Sequence, residues 1–382
     1  MGGMKLKAVV GVLLGGLAIG QGAERVYLAC GNVGVRVAEF DSEKGTLTEP
    51  REAVSLQNAG FLAKHPSQPI LFSTCALEGK KGMSGGVAAF SIQEDGQLEL
   101  LNQSSTQGNG TCHLSIDESG KVILAANYSS GSVASFQVKE DGSLSEAVST
   151  FKHEGKSVHP RRQKAPHAHY FTAGPKNQFA YVPDLGIDQV KIYRLDAETA
   201  ELTPAGAGQL EGGAGPRHMK FSADGQFAYV LNELSLSVTT FAIGQEDGSM
   251  TAVDTVSVLP EDGDGEKVTC AEIRVHPNGR FVYTSQRDLR TKPSDYEGGI
   301  GRNSLSVFQV TEEGTLERIQ TISAGVRIPR NFNFDPSEKW ILVGGRSSND
   351  IQVFSVDGAS GKLAPHGDLI ECPGAICFQF VE

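Results

Sequence analysis

The sequence is poor in the features that mark most other protein classes. Proline accounts for 16 of 382 residues, aromatic side chains for 7%, and tryptophan occurs once. No stretch repeats apolar residues at a sustained 3.6-residue period, which excludes a helical bundle and a coiled coil. Basic residues are outnumbered 34 to 45, giving a formal net charge of -11. That deficit excludes nucleic acid or an anionic membrane surface as the main partner, while a small anionic substrate, which needs only a local arginine cluster, stays open. No cysteine pair is spaced C-x-x-C, and no H-E-x-x-H, P-loop or EF-hand pattern occurs, so no metal or cofactor is expected. Glycine, in contrast, is abundant at 46 residues, well above the roughly 7% of average usage. It has no three-residue period, so collagen is excluded, and the 39% apolar content excludes a disordered chain. A globular chain with many tight turns remains.

The first 23 residues read as a cleaved leader. Lys5 and Lys7 precede an uncharged run, AVVGVLLGGLAIG at 8–20, whose length suits a signal-peptide core and falls short of a bilayer span. Small residues at Ala18, Gly20 and Gly22 offer cleavage positions before Glu24. Export to a periplasmic or extracellular compartment is therefore expected, with no membrane attachment after cleavage. Such a compartment permits disulfides among Cys30, Cys75, Cys112, Cys270, Cys372 and Cys377, but spacing does not select among their possible pairings, and buried free thiols are the simpler reading.

Residues 24–382 are organised by a repeat. TCHLSIDESGKVILAAN at 111–127, PRHMKFSADGQFAYVLN at 216–232, AEIRVHPNGRFVYTSQ at 271–286 and PRNFNFDPSEKWILVGG at 329–345 superpose without a gap. Looser copies start near Arg25, Phe61 and Pro166, which makes seven, at a spacing near that of kelch-type propeller repeats. Within the unit around Arg217, HMKFS, FAYVL, SVTTFAI and MTAVDTVSV read as four short strands, separated by turn signals such as Asp224-Gly225 and Asp247-Gly248. Four-stranded sheets repeated radially form a β-propeller. The expected fold is all-β: a single seven-bladed propeller of four-stranded antiparallel blades. The leftover strand AICFQFV at 375–381 is expected to complete the short first blade and close the ring.

GPRHMKFSADGQFAYVLNE at 215–233, PHAHY at 166–170, VPDLGIDQV at 182–190, AEIRVHPNGRFVYTSQR at 271–287 and PRNFNFDPSEKWIL at 329–342 resemble the seven-bladed propeller lactonase family, which includes 6-phosphogluconolactonases and a carboxymuconate-cyclising enzyme. The resemblance spans the whole mature chain. It implies a metal-free, cofactor-free lactone hydrolase or lactonising enzyme, with His169, Arg217, Glu233 and Arg287 as the active-site set. His167, His218 and Arg330 are further expected substrate ligands.

Elementary geometry points to the same mouth. In an up-and-down sheet the start of one strand meets the end of the next, so Arg217 and His218 lie beside Glu233, with His169 near Asp184, Glu272 near Arg287 and Arg330 near Arg346 on other blades. Arginines there suit binding of a carboxylate or phosphate and stabilisation of a developing oxyanion, and Glu233 or His169 suits proton transfer. Bland readings stand beside these: Arg217 and Glu233 as a structural ion pair, His113 and His218 as braces of blade turns, and His159, Arg161, Arg162 and Lys164 as a solvated loop, whose alternative role is recruitment of an anion. Gly82-Met83-Ser84-Gly85-Gly86 matches G-x-S-x-G but reads as a loop, without the strand-to-helix elbow the motif requires. An exported lactonase acting as a monomer or weak dimer on a small anionic lactone is one reading; a non-catalytic propeller that binds a ligand or protein is the other. Export argues against a phosphorylated sugar lactone and leaves sugar-acid or carboxylate-bearing lactones.

Overall fold

A computed structural model describes residues 23–79, 82–263, 265–290 and 302–381. The expected leader falls on residues outside this set, apart from Ala23. Seven antiparallel sheets follow one another along the chain. Blade 5 shows the pattern: Pro216–Phe221, Phe227–Asn232, Ser237–Ile243 and Met250–Ser257 pair in sequence order. Every residue of the second strand but Phe227 is buried, because it packs between neighbouring blades, whereas the fourth strand is largely exposed at the rim. First strands touch those of adjacent blades and line the centre.

Side chains from successive blades share each core layer. Tyr181 and Ile192 of blade 4 pack with Met219, Val230 and Phe241 of blade 5, all within 3% of full burial. Each such aliphatic or aromatic side chain contributes about 1.5–3 kcal/mol when removed from water. A tyrosine on the second strand of three blades also reaches the outer turn of the next: Tyr27 donates to the Gly96 carbonyl at 3.0 Å, Tyr181 to Gly248 at 3.0 Å and Tyr283 to Gly361 at 2.7 Å. Glycine is required at Gly248 because its φ is +69° and a Cβ there would lie 2.5 Å from the Phe179 ring. The Asp247-Gly248 turn signal thus marks a point where two blades meet as well as a reversal of the chain.

The first blade takes its inner strand from the far end of the sequence. Cys377–Val381 pairs antiparallel with Ala23–Ala29, from Arg25 opposite Val381 to Ala29 opposite Cys377. Trp340 of blade 7 adds an indole hydrogen bond to the Ser42 carbonyl at 2.8 Å. All six cysteines are free thiols, and those of Cys30 and Cys372 lie 3.7 Å apart.

Two local expectations change. Residues 82–86 open a strand, Gly82–Ile92, so the G-x-S-x-G match lies on a blade 2 hairpin and not in a loop. His113 and His218 do not brace turns. Their rings sit 5.6 Å apart with Phe61 and Tyr170 against them, so four consecutive blades fill the centre of the ring with aromatic groups.

Candidate active site

A β-bulge aims the functional side chains. In blade 5, Pro216 pairs with Asn232 and His218 with Leu231, which leaves Arg217 as the extra residue. Cys112 in blade 3 and Arg330 in blade 7 occupy the same bulge position. An extra residue bends the strand and turns its side chain out of the alternating pattern. The repeat therefore delivers three side chains to one mouth by a local bend at the start of each strand, with regular pairing beyond it.

The mouth holds a cavity of about 330 Å³, lined in part by Cys112, Tyr128, Arg162, His169, Glu233, Arg287, Arg330 and Arg346. Arg217 borders a smaller recess that shares Cys112 and Arg330 with it. Five arginines thus line the cavity and its recess, and three of them, Arg162, Arg217 and Arg287, meet on one carboxylate. Glu233 Oε2 accepts from Arg217 Nε at 3.0 Å and lies 3.0 Å from Arg287 Nη2, while Oε1 accepts from Arg162 Nη2 at 2.6 Å. Burial alone raises a carboxyl pKa, but Arg287 and Arg217, with His169 and Arg162, outweigh it and hold Glu233 well below the usual carboxylate range.

The arginines are themselves fixed from behind. Arg217, only 1% exposed, donates to the Ala271 carbonyl and to His218 Nε2 at 3.0 Å. His218 Nδ1 contacts Glu272 Oε1 at 3.1 Å, and Asn331 donates to the other Glu272 oxygen. Since His218 Nε2 accepts from arginine, the ring proton belongs on Nδ1 facing Glu272. Burial and the nearby Arg287 lower the Arg217 pKa to about 10, still charged at neutral pH. Arg287 Nη2 donates to the Cys270 carbonyl at 2.6 Å, and its buried Nε has no partner. Arg330 is pushed well below its ordinary value by burial and then by Arg217 and Arg287. A bound anion would relieve that repulsion.

His169 is 5% exposed at the cavity wall. Burial, then Arg217 and His218, hold its pKa well below the ordinary histidine range, so the imidazole is neutral. Its Nδ1 lies 3.8 Å from Cys112 Sγ. The thiol hydrogen has the Ala126, Ala168 and His169 carbonyls as acceptors, which leaves a sulfur lone pair for Nδ1–H and the Nε2 lone pair unprotonated. The thiol itself is no nucleophile, since burial pushes its pKa up to about 11 against the pull of Arg217 and Arg330.

The family model for "Lactonase, 7-bladed beta-propeller" matches residues 26–380. The chain belongs to the seven-bladed β-propeller lactonase family. A 6-phosphogluconolactonase of Bacillus subtilis is 34% identical over 357 residues, covering 93% of this chain and 96% of that one. The solved structure of a periplasmic gluconolactonase from Pseudomonas aeruginosa matches with a TM-score of 0.85 at 29% identity, covering 94% of this chain and 99% of that one. A putative 6-phosphogluconolactonase from Bacteroides fragilis matches at 0.82 and 27%, with 94% and 98% covered. Membership in the lactonase family selects the enzyme over the non-catalytic ring.

Within this lactonase, His169, Glu233, Arg287 and Arg330 meet at the cavity and Arg217 lies directly behind it. His218 sits deeper, under Arg217. His167 stands behind Tyr128, stacked at 4.5 Å with Nδ1 2.9 Å from the Tyr128 carbonyl, and does not line the cavity. Arg162 corrects the expectation of a solvated loop: it reaches Glu233 across 71 positions of sequence. Cys112 and Tyr128 were also missed. The gapless alignment of Cys112 with Arg217 and Arg330 was the available signal for the first; for Arg162 the signal was the basic cluster at 159–164, which does not point to Glu233.

Proposed function

We propose that this protein hydrolyses the ring ester of a small lactone that carries an anionic group, with the Arg cluster holding the anion and the oxyanion and His169 moving the proton. Five arginines and a single carboxylate around a cavity of about 330 Å³ and its recess carry this reading, because such an excess of positive charge needs a bound anion to balance it. His169 Nε2 takes a proton from water as the water oxygen bonds to the lactone carbonyl carbon. Negative charge then develops on the carbonyl oxygen, and Arg287 and Arg330 stabilise it. Collapse breaks the bond to the ring oxygen, which takes the proton back from His169 as the hydroxyl of the opened acid. Glu233 is too acidic for a base at neutral pH and serves to orient Arg217 and Arg287.

Several observations support an exported enzyme: the uncharged run at 8–20 behind Lys5 and Lys7, and the likeness to a periplasmic gluconolactonase. Outside the cytoplasm, sugar-acid and carboxylate-bearing lactones are the fitting substrates. The test is proton release by the mature protein on a panel of neutral, carboxylated and phosphorylated aldonolactones. Turnover of at least one, unchanged after EDTA treatment, is expected. No turnover on any lactone overturns the reading, and loss in EDTA overturns its metal independence.

A further inference from the structure

Resting on that reading, we infer that Arg162 is the specificity-determining residue of the cavity, an arm that exchanges its bond to Glu233 for the anionic group of an incoming lactone. Of the three arginines on Glu233, only this one is free to do so. The Arg217 and Arg287 side chains are 2% and 8% exposed and tied to backbone carbonyls, whereas that of Arg162 is 32% exposed at the cavity. Among the described residues, its guanidinium also donates to the Tyr128 hydroxyl at 3.2 Å.

The arm is held at its base. Gln163, fully buried, donates to the Leu185 carbonyl at 2.9 Å and to Asp188 Oδ1 at 2.7 Å, and accepts from the His159 amide at 2.9 Å. His159 Nδ1 in turn accepts from the amides of Arg161 and Arg162. Asp188 also receives the amides of Gly213 and Gly215, just before the blade 5 strand that carries Arg217. Backbone position is therefore fixed while the guanidinium swings, which limits the entropy lost on binding. A carboxylate or phosphate entering from solvent can reach Arg162 without displacing protein, as it can the exposed Arg346 on the same cavity wall. Of the two only Arg162 is bound to Glu233, and its planar fork matches either anion bidentately. Transfer of Arg162 to that anion frees Glu233 Oε1 beside His169, where it then favours the imidazolium formed as water attacks. The arm thereby links arrival of an anion to proton transfer, and a neutral lactone leaves the link unused.

The experiment compares the wild-type enzyme with Arg162→Gln and Arg162→Lys on 6-phosphogluconolactone, glucaro-1,4-lactone and neutral gluconolactone. Arg162→Gln is expected to raise KM for whichever anionic lactone is the better substrate about 10- to 100-fold, the range of a charge-assisted hydrogen bond. KM for the neutral lactone should change less than threefold, and Arg162→Lys should recover part of the loss. Equal effects on anionic and neutral lactones, or none on either, overturn the inference. Should the wild type turn over no lactone, calorimetric binding of 6-phosphogluconate and glucarate separates the two ideas: binding lost in Arg162→Gln keeps the anion arm while the hydrolytic reading falls, and equal or absent binding overturns the arm as well. If Arg162→Gln fails to fold, the Lys variant, which keeps the charge and loses the fork, carries the same comparison.

Discussion

At the scale of the residue, one imidazole and one carboxylate in the same cavity are driven to different tasks by their surroundings. His169 is kept neutral by burial and by Arg217, while Glu233 is kept ionised by Arg287, Arg217 and Arg162. His169 therefore carries the proton, and His169→Gln should lower kcat by about 10²–10⁴, the usual contribution of a general base, with KM nearly unchanged. Because its folded pKa lies below the ordinary value near 6.5, kcat/KM should stay flat as pH falls through 6.5 and decline only in more acidic buffer. A pH–rate profile breaking at 6.5 would place the base elsewhere. Arg217→Ala is a poorer probe, since removing one member of a buried ion-pair network costs up to about 3–5 kcal/mol of stability and confounds loss of chemistry with loss of fold.

At the scale of the element, the recurring device is a bulge on the first strand and a tyrosine on the second. The tyrosine hydrogen bonds of Tyr181 and Tyr283 to the neighbouring turn should each be worth about 1 kcal/mol, so either Tyr→Phe change should lower the unfolding free energy by that amount, seen as a lower urea midpoint at unchanged slope. Tyr229 holds the corresponding place in blade 5, but its buried hydroxyl has no partner. Tyr229→Phe is therefore expected to be neutral or stabilising, and an equal loss at all three sites would refute the distinction. Strand order and turns were legible in the sequence because they repeat: Asp-Gly pairs and alternating β-branched residues recur at fixed offsets. Arg217, Glu233, Arg287 and Arg330 were legible for the same reason. Arg162 was legible only as one of a basic cluster; its bond to Glu233 was not, because it lies between blade 3 and blade 4, outside any repeat, and only tertiary folding of residues 153–167 brings it there. The positions of His113 and His218 were also hidden, since the sequence fixes the strand edge on which a ring sits but not whether the centre of the ring is filled.

At the scale of the whole molecule, several blades bury neutral histidines about a common axis. His113, His169 and His218 all have pKa values held well below 6.5, with burial the first cause in each. In the unfolded chain each would take up a proton near pH 6.5, so below that pH the unfolded state binds more protons and stability falls. The loss should begin near pH 6.5 and continue toward the lower folded values, at up to about 1.4 kcal/mol per pH unit for each histidine. Denaturant midpoints at pH 7.5 and 5.5 should differ accordingly. An unchanged midpoint would mean that these rings are protonated in the fold.

The pairing of Ala23–Ala29 with Cys377–Val381 sets a timetable. Strand Ala23–Ala29 has no inner neighbour until a segment about 350 residues later is made, a wait of roughly 20–70 s at ordinary synthesis rates. Through that interval six blades can form around a gap, and the first remains an open edge able to pair with the wrong chain. For the export proposed above, late closure is an advantage: the ring cannot lock before its last strand is available, and translocation has that long to begin.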